Sequence, residues 1–587
     1  MRDNPLLLQT FEWHTPSHPP PPDQTSSQRS HYALVTRLLP SLANLGVSSL
    51  WLPPGCKANS PSGNGYDCYD LWDLGEFDQK YARSTKWGSR EELGRLMDCA
   101  GREGVECVWD AVLNHKTAGD GTEVVWGVEV DREDRRVEIC APKKIEAWLR
   151  YEFPGREREE MKYSGMKWHA AHFNGTDWDQ RGQKNAIFKL IDDPATYPKP
   201  THQQQQSSGT NAGLSGIRAR LAAKFRPDTP ARRPGRDWAQ DVDDEHGNYD
   251  YLMFSNIDHS HPAVRQDLMS WARWMVESTG VSGFRLDAVQ HFSYNFTRDW
   301  VKEVQNVSRK TRGKDAFVVG EIWTGEVRRI TKWLDVVGQG TYAYDSPLLY
   351  NFSRISEDVR KGSKNADLRT IVRDSLLESR PDAAVTLVTN HDTQPGQSSF
   401  TPMLAETKVL WYAFILLREK GFPCVFWGDL YGTQGPEAEP PACLVSDGKG
   451  GQKSLLVQLI MCRRLFAYGK QKDYWDAMSC IAWTRAGVRD KPGSGCVVVI
   501  SIGETAAKEE GGNWTGKSIP FGSPGEVYVD VLRRGFKDEG DMEGVRIDES
   551  GVGFFPCRGL SSAVYVRRDA EGLERFPVAF ELNAGAL

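Results

Sequence analysis

The chain has 587 residues, too many for one simple core, and carries a net charge of −6 with a pI near 6.1. That balance offers no electrostatic basis for binding nucleic acid or an acidic membrane surface, and no segment approaches the ~20 apolar residues of a membrane span. Eleven cysteines without a CxxC pair, and an N-terminus lacking the apolar run and cleavage site of a signal peptide, predict a reduced, cytoplasmic protein.

Along the chain, short apolar runs alternate with amphipathic stretches of helical length. Strands are predicted over residues 6–11, 48–54, 105–115, 283–289, 316–323, 341–346, 384–392 and 423–429. Helices are predicted over 31–45, 89–103, 262–279, 295–312, 325–337, 353–378 and 405–419, with another near 453–468. Repeated strand–helix alternation implies a parallel sheet, so the expected fold class is α/β, a closed (β/α)8 TIM barrel built from 1–116 and 252–477. The third repeat is interrupted by residues 117–251, far beyond the about 2–6 residues of an ordinary βα loop, which predicts an inserted domain. Within it, 199–236 opens with "KPTHQQQQSSGTNAGLSG" and reads as a disordered surface insertion. After residue 477 short alternating runs such as "CVVVIS" and "GEVYVDVL" predict a C-terminal antiparallel β-sandwich over 478–587, with a frayed tail after about 568.

Barrel active sites gather at the C-terminal ends of the strands. Those ends carry Asp110, Asn114 and His115 at strand three, and Arg285, Asp287 and His291 at strand four. Strand five ends in Glu321 and Trp323, strand seven in Asn390, His391 and Asp392. In "GFRLDAVQH", Arg285 and Asp287 stand at i and i+2, so a strand sends both to one face. A lone ion pair there would be merely structural. Three carboxylates from three strands, each with a His, Arg or Trp close by, fit glycoside cleavage, which needs an ionised carboxylate under the sugar and a protonated acid at the leaving oxygen. Arg285 is expected to hold Asp287 ionised well below its usual range, and the charges of Asp287 and Asp392 to raise Glu321.

With "DAVLNH" (110–115), "GFRLDAVQH" (283–291), "GEIW" (320–323) and "VTNHDT" (388–393), the chain resembles the α-amylase family of glycoside hydrolases, in the family's order and covering its four signature segments. "LQTFEWH", "GYDCYDLWDLGEFDQK", "KWHAAHFNGTDWD", "GNYDYLMFSNIDHSHPAV", "WYAFILLREKGFPCVFWGDLYGT" and "FAYGKQKDYWD" are similar to the liquefying bacterial-type branch and its intracellular fungal relatives. The likeness runs from about residue 6 to 568, apart from the insertion at 199–236. It implies Asp287 as nucleophile, Glu321 as acid/base and Asp392 as the group that grips ring hydroxyls in the transition state. It further implies Asp110, His115, Arg285, His291 and His391 around the distorted sugar, Tyr66 stacked beneath it, and Trp323 beneath the next ring. Packing is the alternative reading of those two aromatics.

The departures are informative. Gln290 stands where the family commonly has Lys, on the leaving-group side. The resemblance also implies one calcium ion, held by Asn114, Asp250, Asn256 and the carbonyl of His291. Asn256 replaces an aspartate, so binding weaker than in secreted relatives is expected. A second metal cluster is reduced to Asp258, with Asn174, Ala239 and Ser260 at its other positions. His169 and His172, with Asp177 and Asp179 nearby, read as structural, since no HExxH or CxxC accompanies them.

The leading expectation is a monomeric endo-acting α-1,4-glucan hydrolase that binds neither nucleic acid nor membrane. A 4-α-glucanotransferase supplying primers for cell-wall α-glucan synthesis is the alternative. A catalytically inactive scaffold is a third reading, against which all three carboxylates stand.

Overall fold

A computed structural model describes residues 4–16, 30–196, 235–446, 451–503, 514–532 and 544–582. Eight parallel strands close into a barrel: β1 (Leu7–Gln9), β2 (Ser49–Leu52), β3 (Glu106–Ala111), β4 (Gly283–Leu286), β5 (Phe317–Gly320), β6 (Thr341–Tyr344), β7 (Ala384–Leu387) and β8 (Phe422–Phe426). Each pairs with its neighbour in sequence, and β1 closes the ring by pairing with both β2 and β8. All eight are shorter than expected because the residues that follow each strand bend away into the loops of the rim.

The helices between them are α1 (His31–Leu45), α2 (Arg90–Glu103), α3 (Pro262–Thr279), α4 (Tyr294–Arg312), α5 (Val327–Val337), α6 (Ser346–Arg360), α7 (Lys408–Leu417) and, after β8, α8 (Leu455–Leu465). Local signals set several of their ends. Ser89 and Glu92 form a reciprocal capping box at the start of α2, and Gly104 ends it in the left-handed region. Pro262 opens α3, where its missing N–H costs nothing. One expectation fails: the helix predicted over 353–378 is α6, which starts earlier and stops at Arg360, followed by a turn at Leu368–Thr370 and a single helical turn at Leu376–Ser379. Asp345 caps α6 and Gly362, at φ 61°, follows its end.

The insertion forms a six-stranded antiparallel sheet in the order His115–Lys116, Ser255–Ile257, Phe173–Asp179, Lys184–Ile191, Gly121–Glu129, Lys143–Arg150. Its first and last strands, directly after β3 and before α3, pair with each other, so the sheet stands on the barrel rim. The predicted insertion 199–236 lies outside the described residues save for its last two. There Arg236 is tightly held, donating to the carbonyls of Phe173 (3.0 Å) and Ile191 (2.9 Å).

At the C-terminus a six-stranded antiparallel sheet runs from Gln471–Tyr474 to Ser561–Arg567, and Trp514–Pro520 pairs with Val552–Arg558 as a second layer. Between the layers lie buried Ala482, Val497, Val499, Phe555 and Cys557. The tail does not fray where expected. Leu573 and Phe576 are buried, Phe576 stacks on Phe466 at 5.8 Å, and Val578 N–H bonds Gln458 at 2.8 Å. Among the described residues no helix is long and apolar enough to cross a membrane.

Candidate active site

Barrel register places the acidic cluster. Arg285 on β4 lies opposite Asp110 on β3, and Leu286 opposite Gly320 on β5, so Asp287 and Glu321 leave adjacent strand ends together. Arg285 is fully buried and joins Asp110, Asp287 and Glu321. Its Nη1 is 2.8 Å from Asp110 Oδ1 and 2.6 Å from Asp287 Oδ1, and its Nη2 is 2.8 Å from Glu321 Oε2. Asp110 Oδ2 is itself tied by Tyr66 O–H at 2.7 Å and Trp51 Nε1–H at 2.9 Å. The guanidinium also lies over the faces of Trp51 and Tyr66, at 5.2 and 5.6 Å from their centroids. Glu321 Oε2 accepts from the backbone N–H of Ala288 at 3.0 Å, and Ala288 sits at φ 49°, a left-handed conformation uncommon outside glycine.

Three carboxylates therefore share one guanidinium, and the charge balance differs from the expectation. Burial pushes Asp287 up to about 6 although Arg285 pulls it down. The arginine thus does not hold it far below its usual range; it limits a rise that desolvation would otherwise carry further. Glu321 is raised by burial and then by the charge of Asp287, against Arg285. Asp392 is raised by burial and by Glu321.

Asp392 rests on a tight turn in which Asn390 Oδ1 accepts from the backbone N–H of Asp392 (3.0 Å) and Thr393 (2.9 Å). Beside it, His391 is buried and neutral, driven well below its usual value by desolvation and then by Arg285. Gln9 Nε2 donates to His391 Nδ1 at 2.9 Å, which leaves Nε2 carrying the proton, 3.3 Å from Asp392 Oδ2. Tyr66 stacks on His391 at 5.0 Å and 8°.

The remaining expected residues divide. His115 adjoins Tyr66 but spends both ring nitrogens within the protein: Nε2 bonds the Tyr66 carbonyl at 2.8 Å and Nδ1 faces Asn114 Nδ2 at 3.2 Å. Burial pushes it down to about 4, so it is neutral and braces Tyr66. His291 turns toward the Tyr249 carbonyl, 3.0 Å from Nδ1, and is pushed down to about 3 by burial. Gln290 Oε1 accepts from Trp323 N–H at 2.7 Å, joining the loops after β4 and β5. Trp323 is half-buried, edge-on to Tyr350 at 6.3 Å. His172 Nδ1 accepts from His169 N–H at 3.0 Å, and among the described residues no group of three or more His, Cys, Asp or Glu is placed to hold a metal.

Sequence reasoning assigned no role to Trp13, Gln9 or Trp51. Trp13 lies parallel to both Tyr66 (6.1 Å, 5°) and His391 (6.0 Å, 12°), widening the aromatic floor. Its position just beyond the end of β1 was the available signal. A further cavity of about 420 Å³ opens beside His115 on the inserted sheet, walled by Trp148, Trp178, Phe254 and Lys116.

Of the expected calcium ligands, Asp250 and Asn256 meet, and their chemistry is that of a hydrogen-bonded cluster. Asp250 is the one carboxylate among Asn114, Asp250 and Asn256, and both its oxygens accept N–H groups: Oδ2 from Asn174 at 2.8 Å and from Ala239, Oδ1 from Asn256 at 3.3 Å. The oxygens without a donor, Asn114 Oδ1 and Asn256 Oδ1, are neutral amides. Calcium takes about six to eight oxygen ligands and favours charged ones; with one carboxylate whose oxygens already accept N–H groups, beside two neutral amides and the His291 carbonyl, this donor set does not fit it.

Comparison with known proteins places this geometry. The model of the α-amylase catalytic domain matches residues 224–483. The α-amylase of Geobacillus stearothermophilus is 35% identical over 565 residues, spanning 96% of this chain and 87% of its own. The cytoplasmic α-amylase of Escherichia coli K12 is 34% identical over 579 residues, 96% of this chain and 99% of that one. A crystal structure of the Geobacillus thermoleovorans α-amylase with acarbose covers 96% of this chain and 98% of its own, with a TM-score of 0.55 at 16% identity, a likeness of fold. With a barrel whose strand ends bring Asp287, Glu321 and Asp392 to one mouth, and with relatives this similar along nearly its whole length, the chain belongs to the α-amylase family of glycoside hydrolases.

Proposed function

We propose that the protein cleaves internal α-1,4-glucosidic bonds of starch, glycogen or maltooligosaccharides with retention, through a covalent glycosyl-enzyme. The observation that carries this is the single guanidinium of Arg285 ion-paired with Asp110, Asp287 and Glu321. Because Arg285 holds Asp287 Oδ1, Oδ2 is the oxygen that attacks the anomeric carbon. As the C–O bond breaks, Glu321 gives its proton to the departing oxygen through Oε1, its Oε2 being held by Ala288 N–H. Glu321, now anionic, takes a proton from water, whose oxygen attacks the same carbon and frees Asp287. Asp392, with His391 Nε2–H beside it, grips ring hydroxyls as the sugar flattens. Tyr66 and Trp13 form the floor, and the aromatic cavity beside His115 supports a glucan longer than the reacting pair of sugars.

Transfer of the glycosyl group to another sugar is a second reading. It is favoured by Gln290, a neutral amide whose oxygen is tied to Trp323, on the side where the acceptor binds. The eleven free cysteines suit a reducing cytoplasm, and we place the enzyme there as a monomer. Product analysis on maltoheptaose tests these readings. Hydrolysis yields only shorter chains, transfer yields longer ones, and no product at all would sink both. Asp287→Asn should lower the rate at least about 1,000-fold with the circular dichroism spectrum unchanged.

A further inference from the structure

We infer that the base of the inserted sheet, next to the barrel, is held by an internal amide–carboxylate cluster in place of a divalent cation. Its members come from two segments of the insertion: Asn174 in the strand Phe173–Asp179, and Asp250 and Asn256 in the loop before Ser255–Ile257 and in that strand. All three are buried, at 2%, 1% and 0% exposure. Asn256 Nδ2 is surrounded by acceptors alone: Asn174 Oδ1 at 2.8 Å, the Asp250 carbonyl at 3.0 Å and Asp250 Oδ1 at 3.3 Å. An amide oxygen turned into that position would face three others, so the orientation is chemically determined. Asn174 completes the ring by donating to Asp250 Oδ2, and Asn248 extends it, accepting from Asp250 N–H at 2.9 Å and donating to the Ala239 carbonyl at 2.7 Å. The cluster is tied to the barrel where Ile257 N–H bonds the Asn114 carbonyl at 3.0 Å.

The charge argument points the same way. Three carboxylates at positions 174, 250 and 256 would repel one another and require a cation; one carboxylate among amide N–H donors does not. On the neighbouring strand Lys189 is taken up by Asp237 at 2.9 Å and Glu138 at 3.0 Å. The Asp237 carbonyl accepts in turn from Asn174 Nδ2 at 3.4 Å. Asn114 Oδ1 and Asn256 Oδ1 are buried acceptors without a protein donor, each open to an ordered water.

The test is thermal unfolding of the whole enzyme, followed by circular dichroism in chelator and in millimolar calcium. The wild-type Tm should agree between the two within about 1 °C. Asn256→Ala should lower Tm by about 2–4 °C equally in both, because the cluster itself is weakened. The double variant Asn174→Asp with Asn256→Asp should make stability calcium-dependent, low in chelator and raised by several degrees with the ion. A wild-type Tm that falls in chelator and recovers with calcium would overturn the inference. So would one equivalent of calcium retained through gel filtration and measured by atomic emission. These wild-type measurements decide the matter whether or not either variant folds. An Asn256→Ala protein as stable as wild type would also overturn it.

Discussion

Arg285 is a buried cation that three carboxylates need and none can have alone. Removing a buried partner of such a network costs more than the pair contributed, because the remaining charges are stranded. The same crowding sets how the site should respond to pH. In the proposed mechanism Asp287 must be ionised and Glu321 protonated. Asp287 lies at about 6, so activity should rise as pH climbs through that value, and fall again once Glu321 loses its proton on the alkaline side. The acid limb of the kcat/KM profile should therefore centre near 6, well above the ordinary aspartate value of about 3.9. An acid limb centred near the ordinary value would mean that Arg285 outweighs desolvation here. His115 and His391 contribute no titration to this range, since burial keeps both neutral.

At the scale of elements, Asp345 shows how one side chain can start two helical segments. It is fully buried just beyond β6, and its carboxylate accepts N–H groups from Leu348 in α6 (3.1 Å) and from Leu376 and Leu377 (3.0 and 2.7 Å) in the turn that follows. The second and third of these are about thirty residues away in sequence, which is why apolar periodicity over 353–378 mistook two pieces for one helix. Asp345→Ala should destabilise the enzyme by about 2–4 kcal/mol, the loss of a cap plus two stranded N–H groups, read as a lower urea midpoint. Asp345→Asn should recover part of that, since its amide oxygen still accepts. If Asp345→Ala unfolded at the wild-type midpoint, the cap would not be what joins these segments.

At the scale of the whole molecule, three bodies of structure meet, and among the described residues no long ordered linker joins them. The inserted sheet is anchored to the barrel by its own first and last strands, and the C-terminal tail returns to α8 through Phe576 and Val578. Near residues 199–234 the described chain is already closed: Arg236 N–H bonds Asp192 Oδ2 at 3.0 Å, and its guanidinium holds the Phe173 and Ile191 carbonyls. Replacing 199–234 by a short Gly/Ser link should therefore leave Tm within about 2 °C and kcat/KM within about twofold. A larger loss would show that this segment touches the substrate or the inserted sheet.

Some of this was legible in the amino-acid order alone. Barrel strands are buried on both faces, so they read as continuous apolar runs, and a carboxylate immediately after such a run marks the rim. Hence the eight strands, their parallel order and the positions of Asp287, Glu321 and Asp392 follow from short-range pattern. What tertiary structure decided depends on neighbours remote in the chain. Gln9 sets the tautomer of His391 from 382 residues away, Trp51 and Tyr66 anchor Asp110, and Asn174 meets Asp250 across 76 residues. Desolvation of Asp287 likewise exists only once the barrel has closed around it. Hydrophobic periodicity is a local property of the chain, whereas the ionisation of a buried group and the saturation of its hydrogen bonds belong to the packed interior.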